Sequence, residues 1–268
     1  MKDISFLVLS CDKYNDLWKD FFLLKDHFWS DCPFDWFIVT ESSDFEYKDV
    51  KIIKCGNKLN WTGRLKYALK VINTEYICFF LDDFFVNNTI DNQLILRLID
   101  YAKEIKSDYF VLGDAFSRKF VNPDYRTEHI INIPYNREYG IDTSVAIWKS
   151  EFLLSLLDND CSAWQFELDR LKEARNGMHK GRILLYDDRK PLNISDIPIV
   201  IQGKFYPKSI IDFRKRGFEI STSDRPTMTK YETLRYDLKV KMSKIKTGKF
   251  IVKWLASKFL GYRFFTPS

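Results

Sequence analysis

Glu75-Tyr76-Ile77-Cys78-Phe79-Phe80-Leu81-Asp82-Asp83-Phe84-Phe85 is the stretch that decides the fold. From Tyr76 to Phe80 the run is apolar without alternation, the pattern of a strand buried on both faces of a sheet. Two adjacent carboxylates close the run where the strand leaves the sheet. Like charges side by side at such a place are costly unless a cation or a polar ligand joins them. In open α/β sheets, ligands bind in the crevice beyond the carboxyl ends of the strands. Asp82 and Asp83 stand at that position.

Outward from this strand, short apolar runs alternate with helical patterns. Ile4 to Leu9 reads as the first strand, followed by the polar turn Ser10-Cys11-Asp12-Lys13. A helix then carries Leu17, Trp18, Phe21, Phe22 and Leu24 on a 3.6-residue period. Asp35 to Thr40 and Val50 to Lys54 are strands, and Thr62 to Asn73 is a helix leading into the acidic strand. Beyond it come a helix near Gln93 to Ile105, a strand at Tyr109 to Leu112, and a loop-rich stretch to Gly140. Thr143 to Trp148 is a further strand, and Lys149 to Leu157 and Trp164 to Asn176 are helices. Arg182 to Tyr186 and Ile197 to Ile201 complete the strands. This alternation predicts an α/β fold with a mostly parallel central sheet flanked by helices. Residues 1–220 are expected to form that domain, and 221–268 a linker rich in Ser, Thr, Asp and Pro with a basic tail.

Composition removes several function classes. The chain has 268 residues, 46% hydrophobic and 16% aromatic, which excludes general disorder. No apolar run reaches the length of a membrane span, and the first strand is too short for a secretory signal. Five dispersed cysteines without C-x-x-C spacing suit a reducing compartment, so a cytoplasmic location is expected. Three histidines without pair spacing argue against a zinc hydrolase. Walker A, G-x-G-x-x-G and G-x-S-x-G patterns are absent from the sequence. From Lys230 onward ten Lys and Arg face two acids, so the tail carries about +8 and the body about −3 of the net +5. A basic tail on an acidic body is not the charge distribution of a nucleic-acid-binding domain, and no nucleic-acid partner is expected.

Four segments carry candidate chemistry. Ser10 and Asp12, after the first strand, can line a base pocket. Glu41, after the second, can accept from a pyrimidine N–H or a ribose hydroxyl. Arg64 opens a helix, a suitable place for phosphate. Asp82 and Asp83 form the fourth segment, and Mg²⁺ or Mn²⁺ holding a nucleoside diphosphate would satisfy both, since hard cations take carboxylate and phosphate oxygens together.

In this order the pattern resembles a glycosyltransferase of the GT-A (Rossmann-like) fold, of the kind found in bacterial surface-polysaccharide pathways such as capsule or O-antigen assembly. The resemblance is carried by Phe6 to Tyr14, Glu75 to Phe85, Val145 to Lys149 and Ser162 to Glu167, and covers roughly the first 205 residues. It implies transfer of a sugar from a nucleotide diphosphate sugar to a hydroxyl of a glycan or lipid-linked oligosaccharide. The family's DXD-type motif, which binds metal and donor ribose, is shortened here to Asp82-Asp83 followed by Phe84 and Phe85. Its base-contacting acid corresponds to Glu41. Trp164-Gln165-Phe166-Glu167 resembles the segment whose acid is the general base, because a sugar hydroxyl must lose its proton as the anomeric bond breaks. That role makes an inverting reaction the expectation, and Asp142 is a second candidate base.

Trp164 is a candidate acceptor platform, whereas Trp148 reads as core. Lys204 is either a diphosphate contact or a surface lysine. His179 is either a metal ligand or an exposed residue. In the tail, Ile251, Val252, Leu255, Phe259 and Tyr262 share a helical face opposite Lys246, Lys249 and Lys253. That pattern suits either adsorption to an anionic membrane, at the inner face of the plasma membrane, or docking on the catalytic body. Rival readings are a sugar-phosphate nucleotidyltransferase, which needs a Gly-rich basic loop after its first strand, and a non-catalytic membrane-associated scaffold.

Overall fold

β1 (Ile4–Leu9) is buried at every position, and so is β4 (Tyr76–Leu81) up to its last residue. Burial on both faces is what their unbroken apolar sequence demands. The computed structural model describes residues 3–113, 129–158 and 160–244. In chain order, α1 (Asn15–Phe28), β2 (Trp36–Thr40), β3 (Lys51–Lys54) and α2 (Trp61–Ile72) separate β1 from β4. After β4 come α3 (Asn92–Glu104), β5 (Tyr109–Gly113), β6 (Ile130–Asn132), β7 (Val145–Lys149), α4 (Ser150–Ser155), α5 (Ala163–Arg175) and β8 (Leu184–Asp187). The eight strands form one sheet in the order β3-β2-β1-β4-β7-β5-β8-β6. Pairings through β3, β2, β1 and β4 are parallel, as is β5 with β8. β7 lies antiparallel between β4 and β5, and β6 is antiparallel to β8.

Two features of this topology place the site. The chain leaves β1 toward β2 and β3, then returns to the other side of β1 as β4, so the direction of winding switches between β1 and β4. Ligand crevices open at such switch points. Because β7 is antiparallel to its neighbours, its amino end lies on the same sheet edge as the carboxyl ends of β1, β2, β4, β5 and β8.

Successive strand residues feed two cores. Phe6, Trp36 and Phe80 meet α1, with Phe21 5.8 Å from Phe80 and 6.0 Å from Trp36 between ring centroids. On the opposite face Leu7, Leu9, Val39 and Phe79 pack with Leu65 and Ala68 of α2, Phe152 of α4 and Phe166 of α5. Each of the large apolar side chains stabilises by about 1.5–3 kcal/mol through burial. Trp148 belongs to this core, fully buried with its ring 4.2 Å from that of Tyr109.

A second compact unit begins at Val200 rather than near residue 221. β9 (Val200–Ile201) and β10 (Lys204–Phe205) form a hairpin. Its two-residue turn puts Gln202 and Gly203 at φ 52° and 78°, the positive values that a type I′ turn requires. α6 (Pro207–Lys215) starts with proline in its first turn, where no amide hydrogen is needed. The Ser- and Pro-rich stretch read as a linker is tied to β10: Phe205 N–H donates to Pro226 O and Met228 N–H to Phe205 O, both at 2.9 Å. Arg225 is buried with its guanidinium 5.8 Å from the Phe205 ring. α7 (Lys230–Lys244) joins the same unit through Glu232 to Lys204 and through Asp237 to Tyr206 and Lys208. The amphipathic pattern read at 251–262 lies outside the described residues. Among the described residues no helix is long and apolar enough to cross a membrane.

Candidate active site

Ser10 and Asp82 meet at the switch point. The Ser10 hydroxyl, just past β1, donates to Asp82 Oδ2, just past β4, and accepts from the Trp18 indole N–H at 2.7 Å. All three side chains are buried. A buried carboxylate must be hydrogen-bonded to be tolerated, and Ser10 meets that need across 72 positions of sequence. Trp18 was read only as a core residue; its second function is to orient the Ser10 hydroxyl. Asp83 follows in the turn closed by Phe84 N–H to Leu81 O at 3.1 Å, and it is only partly buried.

One strand further along the edge, Asp12 ties the loops after β1 and β2 together. Its Oδ1 accepts from Glu41 N–H at 2.9 Å, and its Oδ2 from the amides of Ser42 and Ser43 at 3.0 Å and the Ser42 hydroxyl at 2.7 Å. Slight burial pushes its pKa up, but these hydrogen bonds, led by the Ser42 hydroxyl, outweigh it and hold the group below the usual carboxylate value. Asp12 therefore joins the two loops with its own carboxylate engaged. In return, Asp12 N–H donates to Glu41 Oε2 at 3.2 Å.

Arg64 is not placed as a phosphate cradle. The first amides of α2 are already used: Thr62 N–H donates to Cys161 O, Gly63 N–H to the Asn60 side chain, and Arg64 N–H to Asn60 O. The Arg64 guanidinium instead lies 3.5 Å from Glu41 Oε1 and donates to Leu59 O at 3.1 Å. Glu41 and Arg64 thus form one polar pair at the end of β2. The thiols of Cys11 and Cys55 border this pair; burial pushes both up, against the opposing pull of Arg64. Neither thiol was singled out from sequence.

The two candidate bases come together around Thr143, at the amino end of β7. Glu167 Oε1 accepts from Thr143 N–H at 3.0 Å and from its hydroxyl at 2.6 Å. Asp142 Oδ1 accepts from Ser144 N–H at 2.9 Å and from the Tyr109 hydroxyl at 3.1 Å. Glu167 sits in the second turn of α5, one turn after Trp164, so the two share a helix face. Trp164 is 48% exposed, an uncommon state for so large an apolar ring.

Lys204 and His179 each have a partner within their own unit. Lys204 belongs to the second unit, where Glu232 holds its ammonium at 2.5 Å. His179 is neither exposed nor grouped with metal-binding acids: it is 4% exposed, 3.3 Å from Glu173, which also pairs with Arg170. The Gly177-Met178-His179-Lys180 turn looked polar in sequence, but the Phe152 ring covers the imidazole edge-on at 6.2 Å. A second strand-end acid pair, Asp187-Asp188 at the end of β8, escaped notice in the sequence. Asp187 is fully buried and grips Arg189 through both carboxylate oxygens. Its signal was available, since Ile183-Leu184-Leu185-Tyr186-Asp187-Asp188 repeats the pattern of an apolar run closed by two acids.

No protein-family model matches the chain, and no curated protein matches it. Among solved structures, S. aureus TarS 1–349 is 11% identical, covering 96% of this chain and 70% of that one at a TM-score of 0.41. A cytidylyltransferase from Leptospira borgpetersenii is 10% identical, covering 99% and 100% at 0.40. The bifunctional IspDF from Campylobacter jejuni is 18% identical over 63% of this chain and 47% of its own, at 0.36, so the chain spans about half its length. Likeness at these TM-scores carries no argument about activity, which rests on the site.

Proposed function

We propose that the protein is a glycosyltransferase that moves a sugar from a nucleotide diphosphate sugar to a glycan hydroxyl in surface-polysaccharide assembly. The observation that carries the reading is the Ser10–Asp82 contact at the β1/β4 switch point, which fixes an acid where α/β sheets bind nucleotides. Along the edge the order is then Glu41–Arg64 for the base, Asp82–Asp83 for ribose and diphosphate, and Glu167–Asp142 for the acceptor.

Among the described residues, no group of three or more His, Cys, Asp and Glu converges on one point. Two neighbouring carboxylates still suit Mg²⁺ or Mn²⁺, which bind through one or two protein acids and complete their shells with water and substrate phosphate. Such an ion, held by Asp83 and Asp82, would supply positive charge to the departing diphosphate. Glu167 acts on the other substrate. Thr143 fixes its carboxylate through Oε1, and Glu167 takes the proton of the acceptor hydroxyl as that oxygen bonds to the anomeric carbon. The bond from anomeric carbon to phosphate oxygen breaks, and the nucleoside diphosphate leaves with its electron pair. Attack opposite the leaving group inverts the centre.

Thermal melts against a panel of nucleoside diphosphates, with and without Mn²⁺, test the nucleotide half of this reading. A ligand at a hundredfold its Kd adds about 2.7 kcal/mol. Nucleotidyl transfer is the competing chemistry. Its loop after β1 would need glycines and several cations, whereas here one short turn (Asp12–Tyr14) with Lys13 as its cation runs straight into α1. Release of pyrophosphate from a nucleoside triphosphate and a sugar phosphate would overturn the proposal.

A further inference from the structure

α7 presents two chemically different faces. Its start is fixed by a capping box: Glu232 N–H donates to the Thr229 hydroxyl at 3.2 Å, and Thr229 N–H donates to Glu232 Oε2 at 2.8 Å. The inner face packs within its own unit. The Tyr236 ring lies 5.5 Å from that of Tyr206, Glu232 pairs with Lys204, and Asp237 pairs with Lys208. Glu232 and Asp237 are the two acids of the helix sequence, so both are engaged on this side. The outer face carries Tyr231, Leu234 and Leu238, which are 72%, 58% and 44% exposed. Their i, i+3, i+7 spacing lines one side of a helix. Lys230 and Lys241 border the row on one flank, one turn from Leu234 and Leu238 respectively, and Arg235 and Lys239 border it on the other. Single apolar residues on a surface are ordinary, whereas an exposed apolar row rimmed by charge marks an interaction surface.

We propose that this outer face of α7 adsorbs to an anionic lipid surface. Tyr231, Leu234 and Leu238 enter the headgroup boundary, and the flanking bases meet the lipid charges. The inference goes beyond the transferase reading and does not depend on it. Charge decides the occupant. A second copy of the helix would bring its own bases against these, and like charges in contact are strongly disfavoured. The chain beyond Lys244 carries Lys246, Lys249, Lys253, Lys258 and Arg263 and no acid, so laying it over the row meets the same repulsion. The partner must therefore be anionic. An apolar row flanked by bases on one convex helix suits the plane of a bilayer interface. Attachment becomes stable when an apolar anchor is joined to a polybasic segment, so α7 supplies the anchor and the basic chain after it the second contribution.

The test is co-sedimentation of the full chain with phosphatidylserine–phosphatidylcholine vesicles at low salt. Wild-type protein is expected to bind these vesicles and not pure phosphatidylcholine. Leu234→Glu combined with Leu238→Glu should weaken binding at least tenfold even though the chain beyond Lys244 is intact. Its melting temperature should not move, because both side chains lie off the packed face. Lys230→Glu combined with Lys239→Glu should also weaken binding, and added salt should shrink its difference from wild type. Equal vesicle binding by wild type and the leucine variant, or none by wild type, would overturn the proposal. A lower melting temperature in the leucine variant would overturn it by showing the row covered by this chain itself. Wild-type dimers that the leucine variant dissolves would overturn it in favour of a second copy. RNA binding without vesicle binding would overturn it in favour of a nucleic acid.

Discussion

Asp83 and Glu167 divide the proposed chemistry, and each makes a separable prediction. Asp83→Asn keeps the shape of the strand-end turn and removes one charge, so Mn²⁺-stimulated transfer should fall steeply with the melting temperature almost unchanged. Wild-type activity in that variant would sink the assignment. Glu167→Gln should lose about 10²- to 10⁴-fold in turnover with donor affinity retained, since the acid serves the acceptor. If donor affinity collapses and turnover survives, the Asp142 carboxylate across Thr143 becomes the base. Asp12 predicts a pH signature. Its folded-state pKa is depressed, so its contribution to stability is fully present above about pH 4, the unfolded value. That contribution is lost as pH falls through the lower folded value. The stability gap between wild type and Asp12→Ala should therefore be constant from neutral pH to about 4 and shrink below it. A gap that widens on acidification would contradict the hydrogen-bond account.

Elements show what sequence could and could not reveal. β1, β2, β4 and β7 were legible because an apolar run of five or six residues has few alternatives to a buried strand. β6 was not: three residues, Ile130–Asn132, carry no period, and only pairing with β8 makes them a strand. The start of α6 did carry a signal, Pro207 ahead of Ile210 and Phe213, which went unread. At the site, the acids at the strand ends were visible, but their partners were not. Ser10 reaches Asp82 across 72 positions, and Asp12 reaches Ser42 across 30, distances over which a single sequence carries no pairing information. The same loss explains Arg64, whose helix-start position suggested phosphate until the amides around it proved occupied. At this scale Gly140→Ala is informative. With backbone oxygen and a core methyl both 2.9 Å from the new carbon, the variant should lose about 1–3 kcal/mol in urea denaturation. An unchanged midpoint would mean that the backbone around Gly140 gives way to accommodate the methyl group.

For the whole molecule, the second unit decides how the basic tail must be tested. α7 contributes Glu232 and Asp237 to contacts with Lys204, Tyr206 and Lys208, so cutting at Lys230 would strip partners from the unit itself. A cut after Lys244 leaves those contacts intact. We expect the chain ending there to keep its melting temperature and its transfer to a soluble acceptor, and to lose adsorption to phosphatidylserine vesicles. Replacing Lys246, Lys249 and Lys253 with Glu should do the same, since each lysine near an anionic surface is worth about 1 kcal/mol. Salt should weaken wild-type adsorption. A full-length protein that ignores such vesicles at low salt would end the membrane proposal.

The antiparallel placement of β7 also orders events during synthesis. β4 is complete at Leu81, but the strand that covers its open edge starts at Val145. At about 5–20 residues per second, the ribosome takes roughly 3–13 s to bridge that interval. Throughout it, this apolar strand presents unpaired amides and carbonyls, a template for contact with other nascent chains. Asp82 and Asp83, at the end of that edge, are then charged gatekeepers before they are ligands. Neutralising both should therefore cost soluble yield on fast translation, and slower translation at low temperature should recover part of it.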